Sequence, residues 1–507
     1  MAASNIFILI SMGAYLLLMV YIGVKSSKQT NSVDDFYLGN RKLGPIVTAM
    51  SAEASDMSSY LLMGIPGLAY LSGTSHVGWT IIGLVLGTYL NWLIVAKRLR
   101  RYSEKISAIT VPSFFSKRYK DEKNILMMIS ALLIVLFFIP YTASGFAACG
   151  KLFNSLFNID YHIAMIVSAV VILMYTSLGG FLAASITDLV QSIIMTLALI
   201  IVLLFGVKVA GGMENVFKNV EHLAGYLSLT KSYNPTTMDA KNFDFINIIS
   251  TLAWGLGYFG MPHILLRFMA IRDEKELTLS RRIASSWALI SMVVSVFIGM
   301  IGLCISSKKI LPFLGGSKSE TIIIEISKLL AKHSSITALI AGVVLSGILA
   351  STMSTADSQL LAASSSISSD ILVDFFHLKL SDKKLMDISR LTIIAISIIG
   401  VLIAWDPNSS VFAIVSFAWA GLGASFGPVV LLSLFWKRSN KYGAIAGLIA
   451  GGATVFIWKF LVRNLGGAFD IYELLPAFIV GFIFEIVVSL MTKEPDKEIK
   501  KIYESIQ

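Results

Sequence analysis

Residues 51 to 67 read Ser51-Ala52-Glu53-Ala54-Ser55-Asp56-Met57-Ser58-Ser59-Tyr60-Leu61-Leu62-Met63-Gly64-Ile65-Pro66-Gly67. The first half of this stretch is polar and carries the carboxylates Glu53 and Asp56, yet it lies inside an otherwise apolar run, 46-71. A run of about 20 apolar residues is long enough to cross the hydrocarbon core of a bilayer. Polar groups and irregular backbone survive at that depth only when they are buried in protein or line a cavity. The run therefore predicts a discontinuous helix beside a site, and Gly64-Ile65-Pro66-Gly67 supplies further breakers.

A second interrupted run, 244-268, contains Trp254-Gly255-Leu256-Gly257-Tyr258-Phe259-Gly260-Met261-Pro262. Its glycines leave carbonyls accessible, and its proline removes a ladder hydrogen bond. Working outward, thirteen apolar runs cover the chain, at approximately 6-24, 46-71, 76-96, 124-148, 161-179, 186-210, 244-268, 284-304, 336-368, 388-405, 409-435, 442-461 and 472-491. This predicts an all-α polytopic membrane protein of about 13 transmembrane helices, one integral-membrane domain over 1-507. With 6-24 set aside, 46-210 and 244-435 are two blocks of five spans, each opening on its interrupted helix. That is the placement an inverted-repeat transporter predicts.

Composition agrees: 56% hydrophobic against 14% charged residues is too apolar for a surface facing water. The net charge of +10 does not indicate a nucleic-acid binder, because the Lys and Arg lie in short clusters between apolar runs. The clusters Lys25 to Lys42, Lys97 to Lys123, Arg267 to Arg282, Lys379 to Arg390, Lys437 to Lys441 and the tail from Lys493 mark the cytoplasmic side. The N-terminus is then outside and the C-terminus inside, in a plasma-membrane protein. Two long outer connections, Met213 to Lys241 and Ser306 to Lys332, are expected to hold short surface helices, and the tail 493-507 is expected to fray. The run 6-24 has neither a basic region before it nor a cleavage site after it, so it reads as a retained span. Cys149 and Cys304 sit in apolar stretches and suggest neither a disulfide nor a thiolate metal site.

A small hard cation such as sodium needs several oxygen ligands, which an unwound helix and facing hydroxyls can supply. The run 336-368 offers such hydroxyls: Ser351, Ser354, Thr355 and Ser358 recur at spacings of three and four, on one helical face. For any single one, close helix packing is an equal reading. Among intramembrane carboxylates Asp56 is the leading candidate for function. Asp188 reads equally as a helix cap or part of an ion pathway. Asp357 could serve a second ion or pair with a donor, and Glu53 could gate, pair or face a wet cavity.

The stretches Asp34-Asp35-Phe36-Tyr37-Leu38-Gly39 with Arg41, Ser51 to Ser58 with Leu62-Met63-Gly64, Trp254 to Pro262, Met353-Ser354-Thr355, and Trp419 to Pro428 resemble the sodium/solute symporter family. The likeness runs from about residue 7 to residue 490. It implies a five-plus-five inverted-repeat, LeuT-like core with discontinuous helices, thirteen spans and alternating access around a central site. It also implies sodium held by the carbonyls of Ala54, Met57 and Ser351 and the hydroxyls of Ser354 and Thr355, with Asp56 important for ion affinity. For the solute, L-proline, it implies Ser58, Tyr141, Trp254, Tyr258 and Pro262. No cofactor beyond the coupling ion is implied, and the oligomeric state is left open.

Glu53 and Ser59 stand where the family pattern has glycine, Tyr60 where it has tryptophan, Met261 where it has glutamine and Asp357 where it has serine. These departures bear on solute preference and on the number of coupled ions. The alternative within transporters is a sodium symporter for another small amino acid or a monocarboxylate. Paired broken helices favour a transporter over a channel. An intramembrane enzyme would need a histidine pair for zinc, or a serine with a histidine base. The six histidines are scattered, and His263 has no partner histidine one turn away.

Overall fold

The computed structural model describes residues 3–27 and 37–506. The Asp34-Asp35-Phe36 part of the first motif, and residues 28–36 of the basic cluster from Lys25 to Lys42, lie outside the described residues. Ten described helices are long and apolar enough to cross a bilayer, and eleven when the bent pair Phe245–Gly260 and Pro262–Ala270 is taken as one span. Two of the thirteen expected runs account for the shortfall. The run 46-71 folds as Pro45–Ser59, Tyr60–Gly64 and Ile65–Ser72, so no uninterrupted piece reaches span length. The run 161-179 contains the shorter apolar helix Tyr161–Met174, and Gly180, at φ 66°, separates it from the long helix that follows.

Local chemistry sets the helix ends. Asp160 caps Tyr161–Ala210 by accepting from the backbone N–H groups of His162 and Ile163. Ser334 and Thr337 form a reciprocal capping box at the start of Ser335–Ser365. That helix is buried along most of its length. It packs against Pro45–Ser59, Ile125–Phe157, Tyr161–Ala210 and Ala3–Ser27, which places its hydroxyl face in the centre of the molecule.

The second interrupted helix is held by glycine contacts. A Cβ on Gly83 would lie 2.4 Å from the Leu252 carbonyl oxygen, and one on Gly87 would lie 2.3 Å from that of Gly255. Backbone therefore rests directly on backbone between Thr74–Leu90 and the half-helix Phe245–Gly260, the close approach that small residues permit in membrane bundles.

The two long connections expected on the outer side hold the helices Met213–Glu221 and Ile322–Ala331, and the first also carries an antiparallel hairpin, Lys231–Asn234 with Asp239–Asn242. This small hairpin is the one sheet among the described residues, and an isolated bridge joins Leu43 to Ile271. The expected frayed tail is instead a helix, Lys497–Glu504, with Ile499, Tyr503 and Ile506 buried. Its polar side pairs Glu498 with Lys120 and Glu504 with Lys437, so apolar and ionic contacts together hold it against the basic loops. Arg267, expected in a cytoplasmic cluster, is buried inside the bundle.

Candidate functional site

The first break falls within the polar stretch. Ser58 adopts φ 46° and ψ −169°, a left-handed conformation that a residue with a Cβ holds only where its surroundings compensate. Part of that compensation is the Ser58 hydroxyl, which accepts from the Tyr60 backbone N–H at 3.1 Å. The second break is at Met261, whose extended backbone (φ −80°, ψ 105°) follows the tight Ala253–Gly260 segment and precedes Pro262 at the start of the next half-helix. The two half-helices meet at 46°.

Opposite the first break lies Ser335–Ser365. The Ser354 hydroxyl donates to the Ala54 carbonyl at 2.8 Å and sits 3.3 Å from that of Ser351. The Thr355 hydroxyl donates to the Ser351 carbonyl at 3.0 Å. Ala54, Ser351, Ser354 and Thr355 are thus one oxygen cluster across two helices, with Met57 immediately before the break. The Asp56 side chain is directed elsewhere, and its Oδ2 accepts from the Tyr258 hydroxyl at 2.6 Å.

Beside this cluster, Asp56, Met57, Tyr60, Leu84, Tyr141, Trp254, Tyr258, Val415 and Trp419 line a cavity of about 10 Å³. The Tyr141 hydroxyl donates to the Asp56 carbonyl at 3.1 Å, and the Trp419 indole donates to that of Trp254 at 2.8 Å. Trp254 stacks between Tyr60 (centroids 5.5 Å apart) and Tyr472 (5.0 Å), and Phe412 closes the same aromatic layer 5.3 Å from Trp254. Of the predicted solute residues, Tyr141, Trp254 and Tyr258 line the cavity. Ser58 and Pro262 shape the two breaks instead.

Trp419, Val415 and Leu84 were not assigned from sequence. Trp419 lay in a motif quoted above, followed by Gly421 and Gly423, a signal for a bulky ring seated against close backbone.

On the side of the basic loops, Asp188 Oδ2 accepts from the Ser51 hydroxyl at 2.6 Å and from Arg267 Nη2 at 3.1 Å. Arg267 also donates to Ser51 Oγ at 3.0 Å and Ser358 Oγ at 2.5 Å, and Phe181 lies under its guanidinium. Asp188 is inside its helix and partnered by Arg267, so the helix-cap reading is replaced by an ion pair. Asp357 accepts from the Thr176 hydroxyl. Glu53 accepts from the Trp92 indole at 3.4 Å. On the opposite side, Glu320 accepts from Lys151 at 2.7 Å, from the Ser410 hydroxyl at 2.7 Å, and from the N–H groups of Val411 and Phe412.

A sequence profile described as the sodium:solute symporter family matches residues 36–451. The osmoregulated proline transporter OpuE of Bacillus subtilis (strain 168) is 42% identical over 501 residues, covering 98% of each chain. The sodium/proline symporter of Staphylococcus aureus (strain USA300 / TCH1516) is 39% identical over 499 residues, covering 96% of this chain and 93% of that one. Among solved structures, a sodium-coupled sialic acid symporter in a substrate-bound outward-open state superposes with a TM-score of 0.77 at 18% identity, covering 97% of this chain and 99% of that one. The fold of the bundle is that of the LeuT-like symporters.

Proposed function

We propose, for a chain that belongs to the sodium:solute symporter family, that the oxygen cluster is its sodium site and the aromatic cavity its proline site. The protein is a transporter and not an enzyme: it performs sodium-coupled uptake of L-proline across the cell membrane. One observation carries the site assignment, the 2.8 Å approach of the Ser354 hydroxyl to the Ala54 carbonyl at the break. Sodium is a hard cation that takes oxygen ligands. The carbonyls of Ala54, Met57 and Ser351 and the hydroxyls of Ser354 and Thr355 make a set of that chemistry.

The mechanism follows from shared residues. Met57 borders both sites, so an ion drawing the Ala54 and Met57 carbonyls toward Ser354 fixes the wall on which the solute rests. Sodium then raises solute affinity, and the solute raises sodium affinity equally. Tyr60, Trp254, Phe412 and Tyr472 cover the cavity on one side, and the Arg267–Asp188–Ser51 network blocks the path on the other. Alternating access requires the two closures to open in turn. The repeats 46-210 and 244-435 are the bodies that move, each carrying its own break. With the N-terminus outside and the C-terminus cytoplasmic, each sodium moved inward gains about 2.3 kcal/mol per 100 mV.

The test is uptake of labelled proline into proteoliposomes under an inward sodium gradient, with potassium replacing sodium as the control. Sodium-dependent accumulation blocked only by proline and close analogues supports the reading. Accumulation blocked by a different amino acid or a monocarboxylate instead would reassign the solute. Absence of any sodium dependence would remove the ion site.

A further inference from the structure

Around the Asp56–Tyr258 bond lies a second set of buried oxygens that the proline–sodium mechanism does not use. Glu53 stands one helical turn before Asp56, 2% exposed. Its Oε1 accepts from the Trp92 indole, whereas its Oε2 has no hydrogen-bond partner. The free oxygen of Asp56, Oδ1, is likewise unpartnered. Thr88 and Asn91 lie on the helix that carries Trp92, where it passes from Thr74–Leu90 into the widened turn Asn91–Val95. Both residues are fully buried, and Thr88 Oγ1 and Asn91 Oδ1 also lack partners. The Asn91 amide donates to the Tyr258 carbonyl at 2.9 Å, and Thr88 lies beside the Tyr258 hydroxyl. Asp56, Thr88 and Asn91 each touch Tyr258, and Glu53 meets Trp92 of the same widened turn, so these buried polar groups share one neighbourhood; widened helical turns of this kind are frequent at functional sites.

The charge balance points the same way. Asp188 has Arg267 against it, but neither Glu53 nor Asp56 forms an ion pair among the described residues. Two carboxylates three residues apart on one membrane-buried helix are costly without a compensating cation. The cluster at Ser351, Ser354 and Thr355 contributes only neutral oxygens and meets this helix at the Ala54 carbonyl. The carboxylates themselves lie toward Tyr258 and Trp92.

We propose that Glu53, Asp56, Thr88 and Asn91 form a second monovalent-cation site, occupied by sodium, so that two sodium ions accompany each proline. The site rests on the reading of the chain as a sodium symporter, and it adds to that reading an acidic ion site beside the second interrupted helix. Its position against Tyr258 couples it to the solute cavity, because Tyr258 belongs to both.

The experiment is equilibrium binding of radiolabelled sodium to the purified full chain, paired with the sodium dependence of proline uptake, for the wild type, Glu53→Gln and the double variant Ser354→Ala with Thr355→Ala. The wild type is expected to bind about two sodium ions, and each variant about one, with the sodium Hill coefficient of Glu53→Gln uptake falling from about two to about one. Wild type binding a single sodium, or Glu53→Gln retaining both, overturns the second site. A single sodium together with pH-dependent uptake that Glu53→Gln abolishes assigns the carboxylate to a proton, and overturns it as well. Should Glu53→Gln fail to fold, Thr88→Val carries the same expectation and the same overturning result. Loss of all sodium binding and uptake in the wild type would instead count against the symporter reading.

Discussion

The Tyr258 hydroxyl donates a 2.6 Å hydrogen bond to Asp56 Oδ2, so the two interrupted helices are joined at their breaks. A hydrogen bond to a charged group is worth about 1.5–3 kcal/mol, and 1.4 kcal/mol corresponds to about tenfold in affinity. Tyr258→Phe is therefore expected to weaken sodium-dependent proline binding by about ten- to a hundredfold with expression retained. Unaltered binding of labelled proline would separate this bond from the site. Asp56→Asn, which keeps the shape and removes the charge, is expected to weaken sodium activation of uptake far more than expression. Unchanged sodium activation would refute the role of Asp56.

The Arg267–Asp188 pair is buried on both sides, and removing one partner of such a pair costs about 3–5 kcal/mol because it strands a charge. Arg267→Met alone is expected to lower the thermal unfolding temperature of the purified protein. Arg267→Met with Asp188→Leu is expected to recover most of the loss, since no charge is left stranded. Neither variant should drive accumulation of proline, because the closure on the basic-loop side is no longer switchable. Full accumulation by the double variant would show that the pair serves stability alone.

Gly257 fits under Trp419, where an added Cβ would lie 2.0 Å from the indole nitrogen. That nitrogen donates to the Trp254 carbonyl. Gly257→Ala must displace one ring or the other, and it is expected to reduce proline affinity by about tenfold or more, the equivalent of one lost hydrogen bond. Proline affinity equal to that of the wild type would mean that the rings re-pack without consequence.

Glu320 ties Lys151 to the start of Val411–Phe435, whose Phe412 covers the cavity. Glu320→Ala leaves the Lys151 charge buried without its carboxylate and frees the cover. The expected result is retained proline binding with strongly reduced uptake, seen by comparing binding and transport in one preparation. Equal loss of both would place Glu320 in stability alone.

The breaks were legible because carboxylates, hydroxyls and glycines inside an apolar run leave few structural options. Ser51 to Ser58 and Trp254 to Pro262 break at Ser58 and Met261. The hydroxyl face of 336-368 was legible from helical spacing, and Ser354 lies against Ala54. The burial of Arg267 was not legible, because an arginine that ends an apolar run looks the same whether it reaches water or turns inward to Asp188. The full aromatic enclosure was not legible either: Trp419, Phe412 and Tyr472 come from distant parts of the chain, and only tertiary packing brings them onto Trp254. The docked tail escaped notice because its apolar residues, Ile499, Tyr503 and Ile506, are few and widely spaced among charges.

The central claim is that sodium, held between the Ser58 break and the Ser354 hydroxyl face, sets the affinity of the aromatic cavity for proline. The most direct measurement is equilibrium binding of labelled proline to the purified protein over a sodium titration, in the wild type and in Ser354→Ala with Thr355→Ala. Proline affinity should rise steeply with sodium in the wild type and respond weakly in the double variant, with both proteins folded. Proline affinity that is independent of sodium in the wild type, or equally sodium-dependent in the variant, would contradict the claim.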